Sequence, residues 1–232
     1  FDIPRLSVDI DLNYIGAISR NAMLAERPKI EQAVQDVINR EGFSVRRMPE
    51  EHAGCKWLLR YKNISGQSSN LGVDINFMYR IPLWPITTID SYPLVTWKAT
   101  GIPVMDIHEL VGGKLVALLS RHKARDLFDS HRILHIDNLD FKRIRTAFVV
   151  YGAMNRKDWR TISLDDVAFD SAELVSQLAP MLRHNTILRT AEARDYGKKL
   201  MKECQQALRA VLPFSSAEQK FLDLLLEKGK IN

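Results

Sequence analysis

Cysteine is nearly absent: Cys55 and Cys204 are the only two in 232 residues, and they lie far apart. A disulfide scaffold is therefore not expected, and a reducing cytoplasmic setting fits. Long apolar runs are missing too. No stretch approaches the 18 or so residues of a membrane span, which leaves no transmembrane candidate, and no secretory signal is visible. Internal repeats and low-complexity tracts are also absent. Several motifs are lacking as well. There is no G-x-x-x-x-G-K-[ST]; "GGK" at Gly112–Lys114 lacks the first glycine and the hydroxyl, and it falls inside a predicted helix. His131 and His135 are four apart, but no H-E-x-x-H and no further clustered ligand accompanies them.

What remains is an ordinary globular composition, 46% hydrophobic and 26% charged. The length allows one large domain or two small ones with a sizeable core. A net charge of +5 permits a polyanionic partner such as RNA, DNA or a nucleotide, without requiring one. The chain opens on Phe1, almost inside a strand, so a missing N-terminal segment is expected.

The first hundred residues mix strands with a helix. "LSVDIDLNY" alternates strictly: Leu6, Val8, Ile10 and Leu12 face one way, and Ser7, Asp9, Asp11 and Asn13 the other. "KIEQAVQDVINREG", from Lys29, reads as an amphipathic helix with Ile30, Val34, Val37 and Ile38 as its stripe and Gly42 as its C-cap. "FSVRRM" reads as a short strand. "KWLLRYK" and "LGVDINFMYR" read as a hairpin across "NISGQSSN". In the hairpin Trp57 and Tyr61 alternate onto the core side, which argues against a base-stacking platform. Residues 81–103 carry four prolines and are expected to be turns and short extended pieces.

From Asp106 the pattern turns helical. Asp106 and Glu109 have capping-box spacing at the start of "DIHELVGGKLVALLSRHKARDLFDSHRIL". Helical periodicity returns around 139–151, 171–182, 190–211 and 216–229, the last with a Ser cap and a closing Gly. The fold class is α+β, a mixed β-sheet head over 1–105 followed by a helical part over 106–232.

Strands deplete aspartate, yet one strand holds two. Residues two apart in a strand share a face roughly 6.5–7 Å apart, so Asp9 and Asp11 are neighbours. Asp74 lies opposite Val73, Ile75, Phe77 and Tyr79, and it converges with the first pair if the strands adjoin. Three carboxylates aimed at one point form a hard-oxygen Mg²⁺ arrangement, and two such ions serve phosphoryl or nucleotidyl transfer. A solvated strand face is the alternative for each aspartate separately. Haloacid-dehalogenase-type chemistry also uses D-x-D, but there the strand is continuously apolar. On the helix from Ile107, Lys114, Arg121 and Arg125 return to nearly one angle, with Asp129 beside them. The stripe either binds phosphates or is a solvated face. Asp126 either holds Arg121 or Lys123 or is structural.

In this order and spacing "RLSVDIDLNY", "VDINF" and "KLVALLSRHKARDLFD" resemble the AbiEii-type nucleotidyltransferases, toxins of type IV toxin–antitoxin systems within the DNA polymerase β-like superfamily. The resemblance is clear over about residues 5–135. It implies that Asp9 and Asp11 bind catalytic Mg²⁺, that Asp74 is the third carboxylate and candidate base, and that Lys114 contacts the NTP phosphates. It also implies a cleft lined by the first long helix with Arg121, Arg125 and Asp126. Ser7, on the acidic strand face, joins the nucleotide-binding candidates, and Asp126 the catalytic ones. The expected reaction adds NMP to an RNA, at a tRNA 3′ end, with translation blocked, a separately encoded antitoxin opposing it, and a role in phage defence. A non-catalytic RNA- or partner-binding module, and transfer onto a protein hydroxyl, are the rivals. One departure stands out. The family's Gly-Gly-Ser/Thr turn, about ten residues before the D-x-D, is not in the sequence given, which starts eight residues before Asp9.

Overall fold

A computed structural model describes residues 3–7, 9–48, 54–63, 65–93, 95–182 and 190–229. The chain packs as two compact units, one over Ser7–Pro82 and the other from Leu83 onward together with the segment before Ser7. The mixed α+β class is as expected.

In the first unit β1 (Asp9–Asn13), α1 (Arg20–Arg40), β2 (Ser44–Met48), β3 (Gly54–Lys62) and β4 (Ser68–Asn76) follow one another. The four strands form one mixed sheet in the order β1-β4-β3-β2. β1 runs parallel to β4, while β3 is antiparallel to both of its neighbours. The predicted hairpin therefore forms, starting two residues before Lys56 and with its second strand ending at Asn76 rather than Arg80.

α1 begins at Arg20, nine residues before the expected start. Ser19 caps it by accepting from the Ala22 amide, and Ala22–Glu26 is a run of good helix formers. Pro28 removes one hydrogen bond, and the helix continues through it. Gly42 follows the helix with φ +76°, the left-handed conformation expected of it.

One face of the sheet packs on α1. Cys55, Trp57, Leu59, Val73, Ile75 and Phe77 interlock with Met23 and Ile38, and Ile30 and Val34 cover the edge. Burying each such large side chain contributes about 1.5–3 kcal/mol. Arg27 is buried here as well. Its guanidinium donates to Glu31 and to the Gly54 carbonyl and lies 5.0 Å over the Phe77 ring.

Several expected core positions differ. Ile10 and Leu12 stay 45% and 43% exposed, because β1 is the sheet edge and the apolar cluster stops at β4. Val37 is exposed on the outer flank of α1, and Tyr61, at the far end of the hairpin, is only partly covered. Val8, expected on the same apolar face, lies outside the described residues.

In the second unit a small hairpin of β5 (Thr87–Ile89) and β6 (Ile102–Val104) precedes α2 (Ile107–Arg121), α3 (Ala124–Leu134) and α4 (Phe141–Ala153). α5 (Ser171–Glu173) runs on through a π turn and a 3₁₀ turn to Met181. α6 (Thr190–Leu208) and α7 (Ser216–Lys228) complete the described helices. α7 has both sequence signals in place, a Ser215–Glu218 capping box and a left-handed Gly229. None of the described helices is long and apolar enough to cross a membrane.

α2 is the centre of this unit. Val111, Leu115, Leu118 and Leu119 are fully buried, as its apolar sequence requires. Two expectations about it are corrected. Asp106 caps it by accepting from His108, but Glu109 does not complete a capping box. Glu109 is fully buried and accepts instead from the Leu83 amide and the Tyr151 hydroxyl, because the surrounding helices leave it no water. The helix also ends at Arg121, where His122 turns left-handed at φ 55°, and α3 starts afresh. The continuous stripe expected from Lys114 to Arg125 is therefore broken.

The glycines of "GGK" have a packing role. A Cβ on Gly112 would lie 2.6 Å from the Ala147 Cβ and 2.9 Å from the Phe148 backbone nitrogen, so α2 and α4 touch backbone to backbone. Helix propensity alone favours Gly112→Ala by about 1 kcal/mol. The overpacking cost, about 1–3 kcal/mol and here against backbone, outweighs it. Urea denaturation of Gly112→Ala is therefore expected to give a net loss of stability.

Candidate active site

The strand pattern dictates the acidic face of the first unit. α1 covers one face of the sheet, so every side chain of opposite parity projects from the other. The parallel register places Asp11 directly across from Asp74, and Asp9 across from Gly72. The three expected carboxylates are thus brought together on one face of two adjoining strands.

Gly72 explains how Asp9 fits there. A Cβ at position 72 would lie 2.5 Å from Asp9 Oδ1, so the carboxylate occupies the space that any other residue would fill. A glycine inside a strand is a signal of such close approach, and the sequence carried it.

Lys56 is a site residue that sequence reasoning missed. On β3 it stands directly across from Asp74, so Lys56, Asp74 and Asp11 form one cross-strand row. Its Nζ donates to Asp74 Oδ2 at 2.7 Å. That hydrogen bond raises the Lys56 pKa, burial opposes it, and the charges of Asp74, Asp9 and Asp11 raise it further. The ammonium is thus a cation of the acidic face. Alternation alone put Lys56 on the polar side, but the loose hairpin loop hid which residue it would meet.

Among the described residues no three His, Cys, Asp or Glu side chains stand so as to hold a metal ion between them. Asp74 points at Lys56 instead. The donor set nevertheless fits a hard divalent cation: carboxylate oxygens only, on two adjacent strands, with the Gly72 gap accommodating Asp9. Ser7 is exposed, and its hydroxyl donates to the Asp9 carbonyl at 3.1 Å, a local backbone tie.

The second unit carries a cationic cluster of its own. Lys114 Nζ donates to Asp129 Oδ2 at 2.9 Å, and the Arg5 guanidinium donates to both oxygens of the same carboxylate at 2.6 and 2.5 Å. Asp129 is only 2% exposed in its side chain, whereas Lys114 is 38% exposed. A buried carboxylate therefore orients a lysine whose ammonium still reaches solvent. Burial pushes the Asp129 pKa up, but Arg5 and Lys114 outweigh it and hold it below the usual range. Asp129 was visible as the last residue of R-x-x-x-R-D-x-x-D. Arg5, 124 positions away, gave no local signal.

Arg121 donates through Nε and Nη2 to the two oxygens of Asp126, both at 3.1 Å, across the turn at His122. Of the two partners open to Asp126, it takes Arg121; Lys123 pairs with Glu173. Arg125 is half-buried in the first turn of α3, so it shares no helix with Lys114.

The Asp129 ion cluster generates a pH prediction. A depressed carboxyl stabilises the fold above its unfolded pKa of about 3.9, and that contribution is lost as pH falls through the lower folded value. Asp129→Asn is expected to cost roughly 2–4 kcal/mol at pH 7, since it leaves two cations uncompensated. Urea titrations at stepwise lower pH should show the gap between wild type and variant closing below about pH 4. A gap constant down to pH 2 would contradict this.

Comparison with known proteins completes the picture. The chain matches the profile of the nucleotidyl transferase AbiEii toxin, type IV toxin–antitoxin system, over residues 1–223. No curated protein sequence matches it. Its fold is similar to that of MenT4, a nucleotidyltransferase toxin from Mycobacterium tuberculosis H37Rv, with a TM-score of 0.60 at 13% identity over 95% of this chain and 73% of that one. JHP933 from Helicobacter pylori aligns over 91% of this chain and 79% of its own, with 17% identity and a TM-score of 0.45. A family match over nearly the whole length, on a chain carrying the acidic strand pair and the lysine–aspartate helices, means that this protein belongs to the AbiEii nucleotidyltransferase toxins of type IV toxin–antitoxin systems.

Proposed function

We propose that this toxin is a Mg²⁺-dependent enzyme that moves NMP from an NTP to a hydroxyl of RNA, with a tRNA 3′ end as the acceptor and the cytoplasm as its setting. The observation that carries the reading is the β1–β4 register, which sets Asp11 against Asp74 with Asp9 beside them above Gly72. Its family supplies the NTP substrate and the opposing antitoxin.

In the reaction, the RNA hydroxyl oxygen bonds to the α-phosphorus, the α–β phosphoanhydride breaks, and pyrophosphate leaves. Asp74 is the group that accepts the hydroxyl proton. Asp9, Asp11 and Asp74 would hold the Mg²⁺ ions, which when bound neutralise charge on the phosphates and lower the pKa of the attacking hydroxyl. Lys114, oriented by Asp129, offers an ammonium to the triphosphate, and Arg121 and Arg125 serve the phosphates of nucleotide or RNA. Asp126 acts by holding the Arg121 guanidinium in a bidentate pair. Ser7 belongs to the same strand segment as the carboxylates and fixes it through the Asp9 carbonyl.

Incubating the full-length protein with labelled NTPs and a tRNA pool should transfer label in the presence of Mg²⁺. Asp9→Ala should abolish the transfer, and Asp74→Asn should slow it by about 10²–10⁴-fold. No transfer by the full-length protein, or transfer indifferent to Asp9→Ala, would sink the proposal. RNA binding that survives Asp9→Asn and needs no divalent ion, with no transfer, would identify a binding module instead.

A further inference from the structure

Three carboxylates on adjoining strands repel one another unless a cation lies among them. One cation beside them belongs to the chain itself. Lys56 occupies the third place in the row Asp11–Asp74–Lys56, and its Nζ donates to Asp74 Oδ2 at 2.7 Å. The ammonium also lies 3.6 Å from the point above Gly72 where a Cβ would sit, the same point that Asp9 Oδ1 approaches to 2.5 Å. Lys56 and Asp9 therefore approach each other over a single glycine, with Asp74 paired to the same ammonium.

The pair is not sealed. The side chains of Lys56 and Asp74 are 42% and 37% exposed, so water and ions reach them from one side. A lysine suits a contact that must exchange. Its ammonium is a compact point charge on a flexible stem, without the fixed fork by which arginine clamps a carboxylate.

We infer that Lys56 is a built-in counter-cation of the acidic face, which holds Asp74 in the metal-free protein and competes with the divalent ion for it. This inference rests on the proposed metal-binding role of Asp9, Asp11 and Asp74. Lys56 stabilises the resting arrangement of the carboxylates and weakens their hold on a first metal ion. Loading requires Asp74 to exchange the Lys56 ammonium for the metal. The register of β3 against β4 puts this cation there.

The probe is Mn²⁺ alone, titrated into the full-length protein without nucleotide, with free ion measured by electron paramagnetic resonance. Lys56→Met keeps the stem and removes the charge, Lys56→Gln does so with a polar end, and Lys56→Arg keeps the charge. A partly exposed ion pair has a modest worth, so Lys56→Met and Lys56→Gln are expected to bind Mn²⁺ about three- to fivefold tighter than wild type. Lys56→Arg should bind no tighter than wild type. In EDTA both neutral variants should melt at a lower temperature than wild type, and Mn²⁺ should restore them by more than it raises wild type. Mn²⁺ affinity unchanged or weaker in both neutral variants overturns the inference, provided that Asp11→Asn weakens binding in the same assay. If Asp9→Asn and Asp11→Asn bind Mn²⁺ as wild type does, the metal-site reading itself falls, and this inference with it.

Discussion

The acidic face of this toxin depends on one pairing, the parallel register of edge strand β1 against β4. Side chains alternate with a period of two, so sliding β1 by one residue would turn Asp9 and Asp11 toward the α1 side and bring Ile10 or Leu12 beside Asp74. The register is held by what flanks it. Tyr14, just after β1, is buried in the core beside Phe77, with ring centroids 5.4 Å apart, and its amide donates to the Asn76 carbonyl. Gly72 meanwhile leaves the only room in which the Asp9 carboxylate sits as it does. The apolar core on one face and the chemistry on the other are consequences of the same pleat.

A second constraint governs the helical unit: a buried charge must be paired. Asp129 and Glu109 are the two carboxylates most deeply buried there, and each ties together chain segments remote in sequence. Asp129 joins Arg5 to α2 through Lys114, and Glu109 joins Leu83 and α4 to the start of α2. Such groups contribute less through net energy than through uniqueness, since any other arrangement leaves a charge unsatisfied. Lys114 shows the outcome in its geometry. Its ammonium is aimed by a carboxylate that is itself held by an arginine, and it remains partly open to solvent.

The two halves use opposite electrostatic devices. On the sheet, anionic groups gather around a lysine. In the helices, cationic groups gather around an aspartate. Each cluster is partly compensated, one ammonium against three carboxylates on the sheet and one carboxylate against two cations in the helices, which eases the repulsion that either set alone would suffer.

Local features were legible in the sequence because they depend on neighbours within one or two turns. The alternation of "LSVDIDLNY", the hairpin, the Ser215 cap, the left-handed Gly42 and Gly229, and the apolar character of α2 all follow from periodicity and backbone sterics. The motif order Asp9, Asp11, Asp74, Lys114 was likewise enough to point to the nucleotidyltransferase family. Tertiary structure decided the rest. It set Lys56 beside Asp74, Arg5 beside Asp129, and Glu109 under Tyr151 rather than in a cap. It broke the long helix at His122, and it left Ile10 and Leu12 half exposed on an edge strand. The physical reason is common to all of these. Which side chains meet across 18, 42 or 124 positions is set by strand register, loop closure and the demand that buried charges be paired, and none of these leaves a trace in the periodicity of a single segment.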